Sequence, residues 1–179
     1  YSLSLHDALP ICKLPLQGAS DHLVSEAIYL ADPEGNGIEV YADRPRLGWF
    51  DAGGRLKMGT EALDLKDLAS AATGPWQGAP EGAVVGHVHL QAGDVAEATT
   101  FWRDVIGLPV MAQYPGAAFF GSGGYHHHIG ANVWNSRGAG PRALPSTGLS
   151  ELVLLTDPAE HQAIAARAGG DSFADPWGT

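Results

Sequence analysis

GHVHLQAGDVAEATTFWRDVIGLPVMAQYPGAAFFGSGGYHHHIGANVW, residues 86–134, holds a whole folding unit. GHVHLQAG opens it as a strand. Asp94 and Glu97 then form a D-x-x-E capping box, and Ala98, Phe101, Trp102, Val105 and Ile106 fall at i, i+3, i+4, i+7 and i+8. That spacing lines one face of an amphipathic helix, and Gly107 closes it. LPVMAQY, AAFFGS and YHHHIGANVW follow as three short strands separated by PG and SGG turns. The order is β-α-β-β-β.

Working outward, the same order begins again downstream. GLSELVLL (148–155) reads as a strand, Asp157 and Glu160 make a second D-x-x-E box with Pro158 at the first helical position, and Gly169 and Gly170 end the helix. DPWGT (175–179) then repeats the spacing of DPEGN (32–36). Upstream, SEAIYL (25–30) and GIEVYAD (37–43) form a hairpin around DPEGNG, and TEALDLKDLASAA (60–72) reads as a short helix capped by Thr60. Repeated units of this kind fix an architecture better than single propensities. Residues 17–47 are expected to be the last strands of one βαβββ module, 48–82 a linker with a short helix, 83–137 a complete module, and 146–179 the start of a final module. The expected fold class is α+β, truncated at both ends. YSLSLHDALPIC (1–12) resembles a translated sequencing adapter, so residues 1–13 are read as a non-native leader, and His6, Asp7 and Cys12 are set aside.

A chain of 179 residues with 45% hydrophobic content can bury a real core. Ten Lys plus Arg against twenty Asp plus Glu leave a net charge of −10, which repels a phosphate backbone and argues against nucleic acid as a partner. No apolar run approaches the roughly 18 residues of a membrane span. A single cysteine excludes an intramolecular disulfide and a thiolate cluster, so a cytoplasmic protein is expected. G-x-S-x-G, a Walker loop and a Cys/His dyad are all missing, which leaves hydrolase and nucleotide-binding readings without support.

The chemistry-bearing residues are histidines and one carboxylate. His87 and His89 stand two apart on one expected strand and share a face, as do His126 and His128 on another. Imidazole and carboxylate donors without thiolate suit a borderline-hard metal, and two His with one Glu and open positions is the arrangement of non-haem Fe(II) oxygenases. Strand histidines are more often structural than ligating, and His89 and His126 are first read that way. Glu151 is read as an edge-strand charge, and His22 and His161 as structural. Glu39, between Ile38 and Val40, needs a partner if its face is covered.

D-P-x-G-N-x-I-E-x-Y at 32–41, GHVHL followed by D-x-x-E-A-x-x-F-W-R-D-V-I-G-L, and GGYHHHIGANVWNSRG together resemble the vicinal oxygen chelate superfamily of glyoxalases, bleomycin-resistance proteins and extradiol dioxygenases, in its catechol 2,3-dioxygenase-like branch. The resemblance implies paired βαβββ modules forming cup-shaped mixed sheets around a metal. It implies Glu39 and His87 as metal ligands, with a further histidine upstream of residue 17, and His127 or His128 as the acid/base. His89 and Tyr125 would contact substrate. The implied cofactor is Fe(II), with Mn, Zn or Ni as substitutes. The implied partners are an aromatic diol and dioxygen, with a homo-oligomer or swapped dimer as a way to complete the cups. A glyoxalase-type metal-dependent isomerase or lyase, a metal-free bleomycin-resistance-like binding protein and an inactive fragment are the alternatives. Glu151 stands where the final module would offer a histidine, so the resemblance does not imply metal in the carboxy-terminal cup.

Overall fold

The computed structural model describes residues 15–72, 74–75 and 77–179. The leader expected at 1–13 and its His6, Asp7 and Cys12 lie outside the described residues. The chain divides into two units, Tyr1–Val84 and Val85–Thr179.

In the first unit, β1 (Gly18–Asp21), β2 (Ser25–Ala31) and β3 (Gly37–Asp43) form an antiparallel meander, and β4 (Glu61–Ala62) pairs with the free side of β1. Asp32 fixes the β2–β3 turn by accepting the Glu34 and Asn36 backbone N–H groups on one carboxylate oxygen. These bonds and the Asn36 amide hold the Asp32 carboxyl below the usual range. The helix α1 (Leu65–Ser70) starts later than expected: Asp64, not Thr60, is its cap, accepting from the N–H groups of Lys66 and Asp67, while Glu61 is drawn into β4. Leu68 of α1 packs on Ile28, with Val40, Ala19, Leu16 and Leu63 around them. Arg44 ties the sheet edge by pairing with Asp21 and Glu26.

The second unit is a four-stranded mixed sheet in the order β5 (Val88–Gln91), β8 (Ile129–Asn132), β7 (Ala117–Phe120), β6 (Val110–Tyr114). Only β5 and β8 run parallel. Between β5 and β6 lies the expected helix. It starts as α2 (Val95–Thr99), capped by Asp94 through the Glu97 N–H, and widens into a π-helical segment, Thr100–Val105. The apolar stripe meets one sheet face. Leu90, Ala131 and Ala118 form one row of that face, Val88, Ile129, Phe120 and Val110 the next, and Ala98, Trp102 and Ile106 cover them.

The last helix, α3 (Pro158–Ala168), has the expected ends: Asp157 caps it through the Ala159 and Glu160 N–H groups, and Gly169 stops it at φ 86°. Its Ile164 joins the core. Asp175 then repeats the work of Asp32 by accepting the Trp177 and Thr179 N–H groups. The repeat seen in sequence is therefore a repeat of turn geometry. GLSELVLL departs from expectation. No strand is formed across 148–155, and only Leu152 packs on the core, because an isolated extended segment gains its ladder bonds only from a neighbouring strand and none among the described residues pairs with it. Glu151 is accordingly exposed, not an edge-strand charge.

Phe120 is fully buried at the centre of the second unit. Phe120→Ala is expected to lower the stability of that unit by about 3–5 kcal/mol, read from urea unfolding.

Candidate metal centre

A pleated sheet sends successive side chains to opposite faces, so the apolar rows on the helix leave a second set pointing the other way. On that face His89, Gly130, Phe119 and Ala112 lie side by side across β5, β8, β7 and β6. Gly130 decides what fits there. A Cβ at position 130 would come within 2.9 Å of His89 Nδ1 and 3.0 Å of Cε1, so the imidazole lies across a site that only glycine leaves open. A glycine inside a strand is often the mark of such an approach.

His87, just ahead of β5, and His127, in the loop before β8, bring their rings to His89. One ligand-capable atom from each of the three lies within 4.8 Å of the others. The ring centroids of His87 and His127 are 4.1 Å apart, those of His87 and His89 5.0 Å, and those of His89 and His127 5.4 Å. Phe119 sets its edge against His127 at 4.9 Å and against His89 at 5.9 Å, and Tyr114 stands behind Phe119. A metal about 2.1 Å from each of three tetrahedrally placed imidazoles would hold their nitrogens about 3.4 Å apart, so the cluster, with its ligand atoms within 4.8 Å of one another, closes by up to about 1.4 Å on binding. Three nitrogen donors with no thiolate suit Fe, Zn or Ni. The donor set, and the glycine cradle that seats the His89 ring, both fit a bound metal.

The three consecutive histidines are arranged differently from the expected strand. β8 begins only at Ile129. Gly123 and Gly124, at φ 57° and 67°, turn the chain, and His126 and His127 lie in the segment leading out of that turn, so strict alternation does not govern them. His126 and His127 are both buried and share a 2.8 Å contact between their Nδ1 atoms. His128 accepts the Ser122 N–H on its Nδ1 at 3.2 Å and lies against Tyr125, which also lies against His126. His89, first read as structural, is one of the three rings of the cluster. His126 is buried against His127, and the half-buried His22 is hydrogen-bonded to Gly59 and Tyr29.

Glu39 belongs to the first unit and is described there. It faces Tyr29 across the β2–β3 ladder, and the Tyr29 hydroxyl donates to Glu39 Oε1 at 3.2 Å. The same hydroxyl meets His22 Nε2, while His22 Nδ1 is bonded to the Gly59 carbonyl oxygen at 2.7 Å. Burial, and then the charge and hydrogen bond of Glu39, hold the Tyr29 phenol well above its ordinary pKa. Glu39 thus has a partner within its own sheet. His22 is expected to be structural, but the i+7 spacing from His22 to Tyr29 across a turn carries no pattern that pairs the two.

A model of the Glyoxalase/Bleomycin resistance protein/Dioxygenase superfamily matches residues 84–179. Catechol-2,3-dioxygenase of Bacillus subtilis (strain 168) is 40% identical over 170 residues, covering 87% of this chain and 60% of that protein. The chain therefore spans about 60% of the length of this relative. The crystal structure of 2,2',3-trihydroxybiphenyl 1,2-dioxygenase from Sphingomonas wittichii strain RW1 matches at 16% identity, over 73% of this chain and 45% of that one, with a TM-score of 0.23.

Gly130→Ala should drive the His89 ring out of the cluster with little cost in stability, since the ring can swing toward solvent; Co(II) affinity is expected to fall about tenfold or more, measured by its visible spectrum. In the first unit, a raised phenol pKa favours folding fully below the ordinary tyrosine value near 10, and that contribution disappears as pH rises through the folded value. Tyr29→Phe should therefore remove a late-ionising tyrosine from an absorbance titration and flatten the loss of stability above pH about 10.

Proposed function

Because the chain belongs to the Glyoxalase/Bleomycin resistance protein/Dioxygenase superfamily, we propose that it forms all or part of a non-haem Fe(II) extradiol-type dioxygenase acting on a catecholic aromatic ring. The observation that carries this reading is the convergence of His87, His89 and His127 on one sheet face. Support for the reaction class comes from the 40% identical relative, which bears the name catechol-2,3-dioxygenase.

In this proposal His87, His89 and His127 hold the metal. When bound, Fe(II) would supply the redox chemistry through which dioxygen and an aromatic diol react. The remaining roles fall to the surrounding side chains. Phe119 and Tyr114 give the cluster an apolar wall that limits water and offers a flat surface to an aromatic ring. With His127 taken as a ligand, the acid/base role passes to His128. Its Nδ1 accepts a hydrogen bond from the Ser122 N–H, so the neutral ring carries its own proton on Nε2 and can donate to a substrate oxygen. Tyr125, stacked on both His126 and His128, orients that ring and is the proposed substrate contact. His89 moves from the substrate role expected of it to the metal.

Glu39 is a separate proposal. As a carboxylate ligand it would be oriented by the Tyr29 hydroxyl, in the way outer hydrogen bonds orient ligating carboxylates.

Oxygen consumption separates the readings. Chelator-treated protein should consume no oxygen with catechol, and one equivalent of Fe(II) should restore uptake in wild type but not in His87→Ala. Metal-dependent turnover of a substrate without oxygen uptake would move the protein to the isomerase or lyase class. Calorimetric binding of an aromatic ligand that is indifferent to chelator would move it to metal-free binding. Glu39→Gln is expected to reduce bound iron below stoichiometry, and unchanged iron would leave Glu39 with Tyr29 as its only assigned role.

A further inference from the structure

We infer that His126 is the positioning residue of the metal centre, setting the tautomer of His127 through the Nδ1 to Nδ1 hydrogen bond. The inference rests on the metal-centre reading above and goes beyond it, because His126 contributes no atom to the cluster.

The argument is one of proton count. A hydrogen bond between two Nδ1 atoms 2.8 Å apart contains a single proton, so one ring donates from Nδ1 and the other accepts there. If His126 donates, a neutral His127 must carry its proton on Nε2, and neither of its nitrogens then has a lone pair for a cation. If His127 donates, its Nε2 lone pair is directed away from His126 and can ligate. Only the second assignment agrees with the grouping of His127 with His87 and His89. His126 is then the acceptor and carries its own proton on Nε2. A ligating histidine almost always donates its second N–H to an acceptor, which fixes ring orientation and raises ligand basicity. Here the acceptor is a neighbouring imidazole.

The surroundings hold His126 in that role. It is 1% exposed, and the Tyr125 ring lies against it at 4.2 Å and 30°. The backbone beneath is closely packed: a Cβ at Gly121 would come within 2.5 Å of the Tyr125 carbonyl oxygen and 3.3 Å of His127 Cα. The absence of a side chain at Gly121 is what lets the main chain of Tyr125 and His127 approach it this closely.

The test uses the full chain without metal and then with it. Two-bond nitrogen-proton NMR of the ¹⁵N-histidine-labelled protein at neutral pH should show His127 protonated on Nδ1 and His126 on Nε2; the reverse assignment overturns the inference, whatever the activity. His126→Phe keeps an aromatic ring against Tyr125 but removes the acceptor, and should weaken Co(II) or Fe(II) binding by about 10–100-fold. His126→Asn, whose side-chain oxygen can stand where Nδ1 stood, should restore most of that affinity. Equal metal affinity in wild type and His126→Phe overturns the inference. His127→Ala separates the two levels of the argument. If His127→Ala loses metal while His126→Phe retains it, the centre stands and the positioning role falls; if His127→Ala retains full metal, both fall.

Discussion

Everything in the second unit depends on the two-residue alternation of a pleated sheet carried across three paired strands. One set of side chains, Leu90, Ala131 and Ala118 with Ile129 and Phe120, is committed to the helix by burial. The residues between them have no choice of side. His89 is therefore turned away from the helix because Val88 and Leu90 are turned toward it, and Gly130 and Phe119 stand beside it for the same reason. A one-residue slip between β5 and β8 would replace the glycine opposite His89 with Ile129 or Ala131 and close the space its ring occupies. The apolar core sets the register, and the register sets the cluster.

The first unit solves a similar problem with different groups. A carboxylate within a strand needs a counterpart, and Glu39 finds Tyr29 directly across the ladder, with His22 on the far side of the phenol. Two strands and a turn thus bring an imidazole, a phenol and a carboxylate into one hydrogen-bonded line. The two aspartate turns, at Asp32 and Asp175, show the other way the units resemble each other: each carboxylate oxygen closes its turn by accepting the N–H groups two and four residues on.

Where local chemistry decides, the sequence was legible. The D-x-x-E boxes became real caps at Asp94 and Asp157, Gly169 ended its helix in the left-handed region, and GIEVYAD is β3 to the residue. Legibility failed where a partner distant in sequence decides. Thr60 looked like a cap until β1 offered Glu61 and Ala62 a ladder. GLSELVLL has every local mark of a strand, yet such marks do not supply the neighbour whose N–H and C=O groups a strand requires. YHHHIGANVW reads as a single period-two run, but the two left-handed glycines before it carry a turn into the triplet, so alternation does not set the places of His126 and His127, which lie against each other. The sheet register and the glycine at 130 carried information that residue type alone did not.

The widened turn of the helix leaves a further mark. Its final N–H bonds reach back five residues, from Ile106 to the Phe101 oxygen, and the carbonyls of Val105 and Ile106 are met by the guanidinium of Arg167, 62 and 61 residues later. That helix is thus finished by a side chain borrowed from α3, and Glu160 of α3 holds the same guanidinium from the other side. Two segments at opposite ends of the unit share one end-cap. Any disturbance that unwinds the last turn of α3 is felt as two abandoned carbonyl oxygens at the helix that roofs the histidine-bearing sheet.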